Sequence, residues 1–480
     1  MNFNDNNLTL RVDEHGVTWV GLDLANSAVN TLGQGMRRSL NMLLDYFSSN
    51  TPAKGVIFHS LKSQGFIMGA DIAEFGQLGN AEAAKALVKD GDDLMDRLAQ
   101  VPYPTLALVR GYALGGGCEF ALACRYRVAV DSPQTKFGLP EVMLGIVPGW
   151  GGMRRLPEMI GPSEALPMML AGKQVDAKKA KKLGLVDMCV PERVQFESAL
   201  GYLLQGKPPR SLPFLPSLLL KWPFKNLIAA QAVKATAKKV SPAHYPAPFA
   251  IIEMFAKHHG RAIPPQGPAD SSPHSLKALS EHPTTPNLLR VYGLQERLKS
   301  LAKTEGEKIR HVHVVGAGVM GGDIAAWCAL RGLHVTLQDT SIERLAPAMT
   351  RAQELFQKRI KDDRLRRDAI DRLLPDANGH GIKKADLIIE AIFENLEAKQ
   401  QLFKRLESEA RSDAVLATNT SSIPLEQIAT ALCKPSRLVG IHFFNPVASM
   451  MLVEIVQGQH TDAEVSKRAT RFVKQIDKLP

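Results

Sequence analysis

The run HVHVVGAGVMGGDIAAWCALRGLHVTLQD, residues 311–339, constrains the fold of this 480-residue chain more than any other stretch. A β-branched run leads into Gly316, Gly318 and Gly321 at G-x-G-x-x-G spacing, a small-residue helical pattern follows, and a second apolar run ends at Asp339. Glycines at those places allow a sharp turn, the approach of a pyrophosphate to a helix N-terminus, and close packing of helix on strand. An acid closing the second strand can accept hydrogen bonds from the ribose hydroxyls of an adenine nucleotide and repels a 2′-phosphate. NAD is therefore expected rather than NADP. Asp323, near the start of the same helix, is out of keeping, because it places negative charge close to where a pyrophosphate would lie. The pattern predicts a Rossmann-type α/β domain over residues 311–480.

Upstream, the texture changes twice. Up to Pro191, short β-rich runs such as VTWVGLDL, KGVIFHS and TLALVRG alternate with helical patterns such as AEAAKALVKDGDDLMDRLAQ, predicting an α/β domain over residues 1–191. Over 192–310 the strands fade and prolines crowd RAIPPQGPADSSPHSLKALSEHPTTP ahead of NLLRVYGLQERLKSLAK, which reads as a helical extension and linker. The five cysteines are scattered and form no CxxC pair, so neither a disulfide framework nor a metal site is expected. A formal net charge of +11 suits nucleic acid, a membrane surface or a polyanionic small molecule. The basic residues are dispersed, as in DAKKAKKLG and AVKATAKKV, without a basic-aromatic stripe, and no nucleic-acid partner is expected. No run approaches the ~18 apolar residues of a transmembrane segment, and MNFNDNNLTL lacks the order of a signal peptide, so the cytoplasm is the expected compartment.

One acid in the first domain stands in unusual company. In GGGCEFALACRYRV, residues 115–128, Glu119 sits between a glycine triplet and a run of small apolar residues. Glycines ahead of a helix leave amide N–H groups free to hold an anion, and this triplet is one candidate donor. FIMGADIAEF supplies a second candidate, where Gly69 and Ala70 are small and precede another helix start, and two such donors suit an enolate oxygen. Glu141 follows 22 positions after Glu119, in KFGLPEVMLGIVPGWGGMRRLP. Two carboxyl groups can hold a water between them and manage protons at neighbouring carbons. Each acid also has a plain reading, as a first-turn residue complementing a helix dipole.

Taken together and in order, GADIAEF, GYALGGGCEFALACRYRVAV and KFGLPEVMLGIVPGWGGMRRLPEMIG resemble the enoyl-CoA hydratase (crotonase) family over most of the first 190 residues. That resemblance implies a ββα spiral fold. It also implies that Glu119 and Glu141 activate and deliver water, and that the amides of Ala70 and Gly116 hold the thioester oxyanion. Farther on, His442 in GIHFFNPVASMMLVEIV can exchange a hydroxyl proton while Glu454, 12 positions later, orients its ring. With EAIFENLEAKQ and TNTSSIPLEQIA, that string resembles the L-3-hydroxyacyl-CoA dehydrogenase family. The resemblance implies His442 and Glu454 for catalysis, Ser421 and Asn445 for substrate and cofactor contacts, and Met320, Glu394 and Lys399 at NAD-binding positions.

A hydratase followed by a dehydrogenase resembles the multifunctional proteins of fatty acid β-oxidation, in which the product of the first site is the substrate of the second. The expected activity is hydration of trans-2-enoyl-CoA to 3-hydroxyacyl-CoA, with acyl-CoA thioesters as substrates, a thiolase as a candidate partner, and a homo- or hetero-oligomer. The alternatives are a non-catalytic acyl-CoA-binding or assembly subunit, or a crotonase-type isomerase or hydrolase. The chain stops at RFVKQIDKLP, where a dehydrogenase nucleotide domain is expected to be still completing its sheet. The helical C-terminal domain that the resemblance implies is expected to be lacking. From that stop, weak NAD reduction is expected beside ready hydration.

Overall fold

Burial of near-continuous apolar runs organises the first part of the chain. The computed structural model describes residue 3 and residues 5–63, 65–76, 80–264, 271–301 and 306–480. Residues 265–270 of the proline-rich stretch, and 302–303 of the helical pattern after it, lie outside the described residues. Two units are distinguished, Met1–Tyr292 and Gly293–Pro480.

In the first unit, strands β1 to β10 are Leu8–Val12, Thr18–Leu22, Val56–Ser60, Gly65–Ile67, Thr105–Val109, Tyr112–Leu114, Tyr126–Val130, Lys136–Gly138, Val175–Asp176 and Met188–Val190. Six of them form a sheet in the order β1-β2-β3-β5-β7-β10, parallel except for the β1–β2 hairpin. Every residue of β2, β5 and β7 is buried, as expected of parallel strands covered on both faces. Four short strands make a second sheet, β4-β6-β8-β9, in which β4, β6 and β8 run parallel. Ile67, Ala113 and Phe137 lie in register across those three strands. Their chains leave the sheet on the same side, so whatever follows each strand is delivered to one place.

The helical segment expected as a linker from residue 192 belongs for most of its length to this unit. Helix Gln195–Leu204 buries Ala199 and Leu203 against Trp19, Leu106 and Tyr126 on one face of the large sheet. Helix Ala247–Lys257 contributes Ile251, Met254 and Phe255 to the main core. Fading strands in the sequence mark the point at which the sheet acquires its helical cover, not the end of the unit. The division falls at Tyr292/Gly293, inside the helix Thr284–Leu301.

In the second unit, β11 to β17 are His311–Val315, His334–Gln338, Leu373–Pro375, Leu387–Glu390, Val415–Thr418, Leu438–Phe443 and Val453–Val456. They form one sheet in the order β13-β12-β11-β14-β15-β16-β17, with β17 alone antiparallel. Counted within the unit, the parallel part runs 3-2-1-4-5-6, the doubly wound order of dinucleotide-binding folds. Beside β17 the edge of the sheet is met by Leu479, which forms a parallel bridge with Leu452. β16 and β17 pair, and helix Ala463–Gln475 buries Ala469, Phe472 and Val473 in the core beside them.

Candidate active sites

The first site is assembled where β4, β6 and β8 end. Ala70 and Gly116 each follow three residues after the paired Ile67 and Ala113, and Glu141 follows four after Phe137. The Ala70 nitrogen lies 3.5 Å from where a Cβ on Gly116 would stand, so the two amides are neighbours. Gly116 is the first residue of helix Gly116–Ala123, whose N-cap has no side-chain acceptor. Among the described residues neither amide donates to a protein acceptor. Gly115, at φ 51°, turns β6 into this helix.

Glu119 lies on the first turn of that helix and is 2% exposed. Its Oε1 accepts two backbone hydrogen bonds, from Trp150 N and Gly152 N, both at 2.8 Å. A Cβ on Gly152 would stand 2.9 Å from that same oxygen, so only glycine lets the loop come this close. Burial pushes the Glu119 carboxyl up to about 7, the two amides and Arg155 holding it below what burial alone would give, while Asp92 adds to the rise. Glu141 opens the short helical turn Glu141–Leu144. Its Oε2 is sealed from solvent and, among the described residues, has no hydrogen-bond partner. Burial first, and then the charge of Glu119, drives its carboxyl well above the usual carboxylate range. The anion is thus better supported on Glu119 and the proton better kept on Glu141.

The residue that secures this arrangement, Trp150, is not evident in the sequence. Its ring fills the space beside two glycines: a Cβ on Gly91 would come within 2.1 Å of it and one on Gly116 within 2.4 Å. Its indole N–H donates to Leu87 O at 3.3 Å, and the Arg37 guanidinium lies over the ring at 5.6 Å. Arg155 donates from Nη1 to Trp150 O and from Nη2 to Asp96. The tryptophan is thereby fixed at ring and carbonyl while its backbone N–H holds Glu119. Because both acids carry raised values, the folded chain retains protons that the unfolded chain releases near 4.5. The folded state then binds more protons than the unfolded state above about 4.5, and its stability falls as pH rises from about 4.5 to about 7, where Glu119 ionises in the folded chain, with Glu141 adding a loss of the same sign. Urea midpoints at about pH 5 and about pH 8 are expected to show this fall, with a shallower slope in Glu141→Gln, whose side chain cannot ionise.

The second site occupies the carboxyl ends of the parallel strands in the second unit, where ligands bind in open α/β sheets. Gly316 (φ 105°) follows β11, and a Cβ on it would stand 2.5 Å from Ala391 O. At Gly321 a Cβ would stand 1.9 Å from Gly316 O, whereas at Gly318 it would meet nothing within 4 Å. Gly316 and Gly321 are thus required by packing, and Gly318 leaves a backbone surface open at the start of helix Val319–Leu330. That cradle fits a dinucleotide pyrophosphate. Asp339, just beyond β12, accepts from Ala317 N at 2.7 Å through Oδ2 and from Thr340 N at 2.7 Å through Oδ1, tying the strand end to the glycine turn. Met320 packs against the core below. Asp323 pairs with Arg351 at 3.4 Å, and that arginine also donates to Gly318 O, so the acid's charge has a partner.

His442 on β16 and Glu454 on β17 face one another in antiparallel register, with His442 Nδ1 2.8 Å from Glu454 Oε2. With Nδ1 so engaged, Nε2 remains for a substrate proton. Phe444 packs on the imidazole at 4.8 Å between ring centres, and exposed Asn445 follows. Between this pair and the glycine turn runs a charged network. Lys399, 1% exposed, lies 2.6 Å from Glu390 Oε1 and 3.2 Å from Glu394 Oε2. Glu390 is completed by Thr418 Oγ1 and Ile392 N. Glu394 accepts from Ser421 N at 2.7 Å, from Ser421 Oγ and from Thr420 Oγ1. Burial opposes the charge on Glu394, but these donors and Lys399 outweigh it and hold the carboxyl below its usual value. Lys399 is therefore buried and engaged with both acids rather than exposed. Two members of the site are not expected from sequence: Glu390, and Asn419, whose Oδ1 accepts from Phe443 N at 2.8 Å.

These two sites correspond to two known families. Residues 14–212 match enoyl-CoA hydratase/isomerase, and residues 311–480 match the NAD binding domain of 3-hydroxyacyl-CoA dehydrogenase. The chain is thus an enzyme of acyl-CoA metabolism carrying both domains, with NAD as its cofactor. It is 34% identical over 485 residues to the fatty acid oxidation complex subunit alpha of Vibrio parahaemolyticus, covering 98% of this chain and 68% of that one. The chain belongs to the family of fatty acid oxidation complex alpha subunits. Among solved structures, 3-hydroxybutyryl-CoA dehydrogenase from Escherichia coli aligns at 36% identity over 36% of this chain and 38% of its own, with a TM-score of 0.35. Enoyl-CoA hydratase from Bacillus anthracis aligns at 27% identity over 53% and 90%, with a TM-score of 0.39.

Proposed function

We propose that Glu119 is the base and Glu141 the acid in hydration of a trans-2-enoyl-CoA, with the amides of Ala70 and Gly116 holding the thioester oxygen. Support comes chiefly from the unequal settings of the two carboxyl groups, one oxygen of Glu119 receiving two backbone N–H donors while Oε2 of Glu141 has no partner among the described residues. Glu119 takes a proton from water as the water oxygen bonds to C3. The C2–C3 π electrons move toward the thioester, whose oxygen becomes the enolate oxygen between the two amides. Glu141 then gives its proton to C2 as the carbonyl re-forms, leaving 3-hydroxyacyl-CoA. Exchange of a proton between the two acids restores the starting state. The product is the substrate class of the second site. There His442 Nε2 takes the hydroxyl proton while the C3 hydride departs, and Glu454 supports the imidazolium. Bound NAD supplies the hydride acceptor.

Incubation with crotonyl-CoA, with and without NAD, tests this reading. Appearance of 3-hydroxybutyryl-CoA supports it, and a shifted double bond, a free acid or no product opposes it. The carboxylate pair argues against a purely structural acyl-CoA-binding or assembly role. Assembly with another subunit is supported by a relative named as subunit alpha of a complex, and a thiolase is the partner proposed here. A cytoplasmic location fits the lack, among the described residues, of any helix long and apolar enough to cross a membrane. Asp339 carries the cofactor preference. A charged acceptor on ribose hydroxyls contributes about 1.5–3 kcal/mol, and the same charge repels a 2′-phosphate. NADH is therefore expected to bind at least ~10-fold tighter than NADPH in fluorescence titration. Equal or tighter NADPH binding removes Asp339 from that role.

A further inference from the structure

Helix Gln34–Ser49 turns an apolar stripe inward, with Leu40, Leu44 and Phe47 buried along it. One member of that stripe is charged. Arg37, 4% exposed, stands at the same helical spacing, one turn before Leu40. A buried ion group can often be exchanged for apolar side chains without loss of stability, so packing alone does not call for a guanidinium in this place. Its partners lie on both sides of the first site.

On the Ala70 side, Nη1 donates to Leu32 O at 2.8 Å and to Glu74 Oε2 at 3.0 Å. Leu32 N in turn donates to Gly69 O at 2.8 Å, immediately before Ala70, and Glu74 belongs to the short helix Ile72–Gly76 that follows it. The other oxygen of Glu74 accepts from Gln34 N, which fastens that short helix to the start of the helix carrying Arg37. On the Gly116 side, the guanidinium lies over the Trp150 ring, whose edge takes the space that a Cβ on Gly116 would need. Nε donates to Asp90 Oδ2 at 2.7 Å. Asp90 stands on helix Ala81–Gln100, which also supplies Leu87 O to the Trp150 indole and Gly91, whose bare backbone the ring lies against.

The two amides leave the small sheet on different strands, and the strands fix only where each segment begins. Two donors aimed at one oxygen must each stay within about 2.7–3.2 Å of it to keep their strength. We propose that Arg37 is a positioning residue for hydration, spanning the segments that bear the Ala70 and Gly116 amides and so holding the spacing between them. This rests on the assignment of those amides to the thioester oxygen. Lysine cannot take over the part, because an ammonium has no plane to lay on an indole and no fork to serve Leu32 O, Glu74 and Asp90 together.

Arg37→Lys and Glu74→Gln in the 480-residue protein test the proposal with two readouts. In crotonyl-CoA hydration Arg37→Lys should lower kcat by ~10–10²-fold, the cost of donors misplaced rather than removed, with KM moving much less. Glu74→Gln, which leaves the guanidinium in place, should lower kcat in the same direction by a smaller factor. The second readout is the absorption of bound 4-dimethylaminocinnamoyl-CoA, an enoyl thioester whose chromophore moves to the red when its carbonyl oxygen accepts hydrogen bonds. The unaltered protein should give a red shift, diminished in Arg37→Lys and less so in Glu74→Gln. Far-UV circular dichroism shows which variants fold. If Arg37→Lys does not, Glu74→Gln, whose side chain is a quarter exposed, decides alone. A lowered urea midpoint with kcat and red shift unchanged makes the contacts merely stabilising and overturns the proposal. Lost turnover with the full red shift kept also overturns it, because the effect then bypasses the two amides. Absence of any shift in the unaltered protein is a different failure: it removes the oxyanion assignment itself, and the positioning role with it.

Discussion

Glu119→Gln and Glu141→Gln are each expected to lower kcat for crotonyl-CoA hydration by ~10²–10⁴-fold, the usual contribution of a positioned acid or base. The two losses have different causes. The amide that replaces the Glu119 carboxyl keeps an oxygen able to accept from Trp150 N and Gly152 N, so the loop stays in place, but it cannot hold the proton taken from water. The amide that replaces the Glu141 carboxyl occupies the same volume and has no acidic proton to give to C2. Far-UV circular dichroism should match the unaltered protein in both, and KM should move much less than kcat because neither acid is assigned to holding the CoA moiety. Assays following absorbance of the conjugated thioester check this. Unchanged turnover in either variant removes that residue from the chemistry.

Replacing His442 by Gln is expected to reduce NADH formation from 3-hydroxybutyryl-CoA by a similar ~10²–10⁴-fold. The imidazole is held by Glu454 at Nδ1, and this leaves a single nitrogen to receive the hydroxyl proton. Without it, the alkoxide character needed for hydride departure has no base to develop against. NADH affinity should be nearly unchanged, since the glycine turn and Asp339 follow β11 and β12 while His442 stands on β16. Glu454→Gln should cost less, because the amide oxygen can still accept from Nδ1–H and the Glu454 side chain is half exposed. Loss of NADH binding in His442→Gln, rather than loss of turnover, would move the histidine from chemistry to cofactor contact.

How far the sequence reveals these sites depends on how local their causes are. The glycine fingerprint and Asp339 are legible because one strand-turn-helix-strand unit contains every atom that makes them necessary. Glu119 is ambiguous alone, since an acid on a first helical turn has an adequate local explanation. Its distinguishing partners, the amides of Trp150 and Gly152, lie 31 and 33 residues away and carry no side-chain signal. Lys399 and Glu390 read as ordinary charges on a helix and a strand end, and only the packing of β14 and β15 shows them buried and paired. His442 and Glu454 are 12 apart in sequence, and their contact follows from an antiparallel register that no periodicity displays. The extent of the first unit is hidden for another reason: loss of strand pattern after Pro191 resembles loss of a domain, although APFAIIEMF is apolar enough to be core.

The row Ile67, Ala113, Phe137 has a consequence for how such a site can change over time. Ala70, Gly116 and Glu141 stand three or four residues beyond their members of the row, and Glu119 follows on the helix that Gly116 opens, so the reaction is dimensioned by loop lengths rather than by side chains along the way. Substitutions in these loops leave the spacing intact, provided glycine remains at Gly115, where the backbone turns at positive φ, and at Gly116, where the indole crowds out any Cβ. A single insertion or deletion shifts one group by about 3.3 Å relative to the others, more than a hydrogen bond tolerates. Variation in acyl preference should therefore accumulate as substitutions around these three loops, and length changes should be confined to segments that do not lead out of the small sheet.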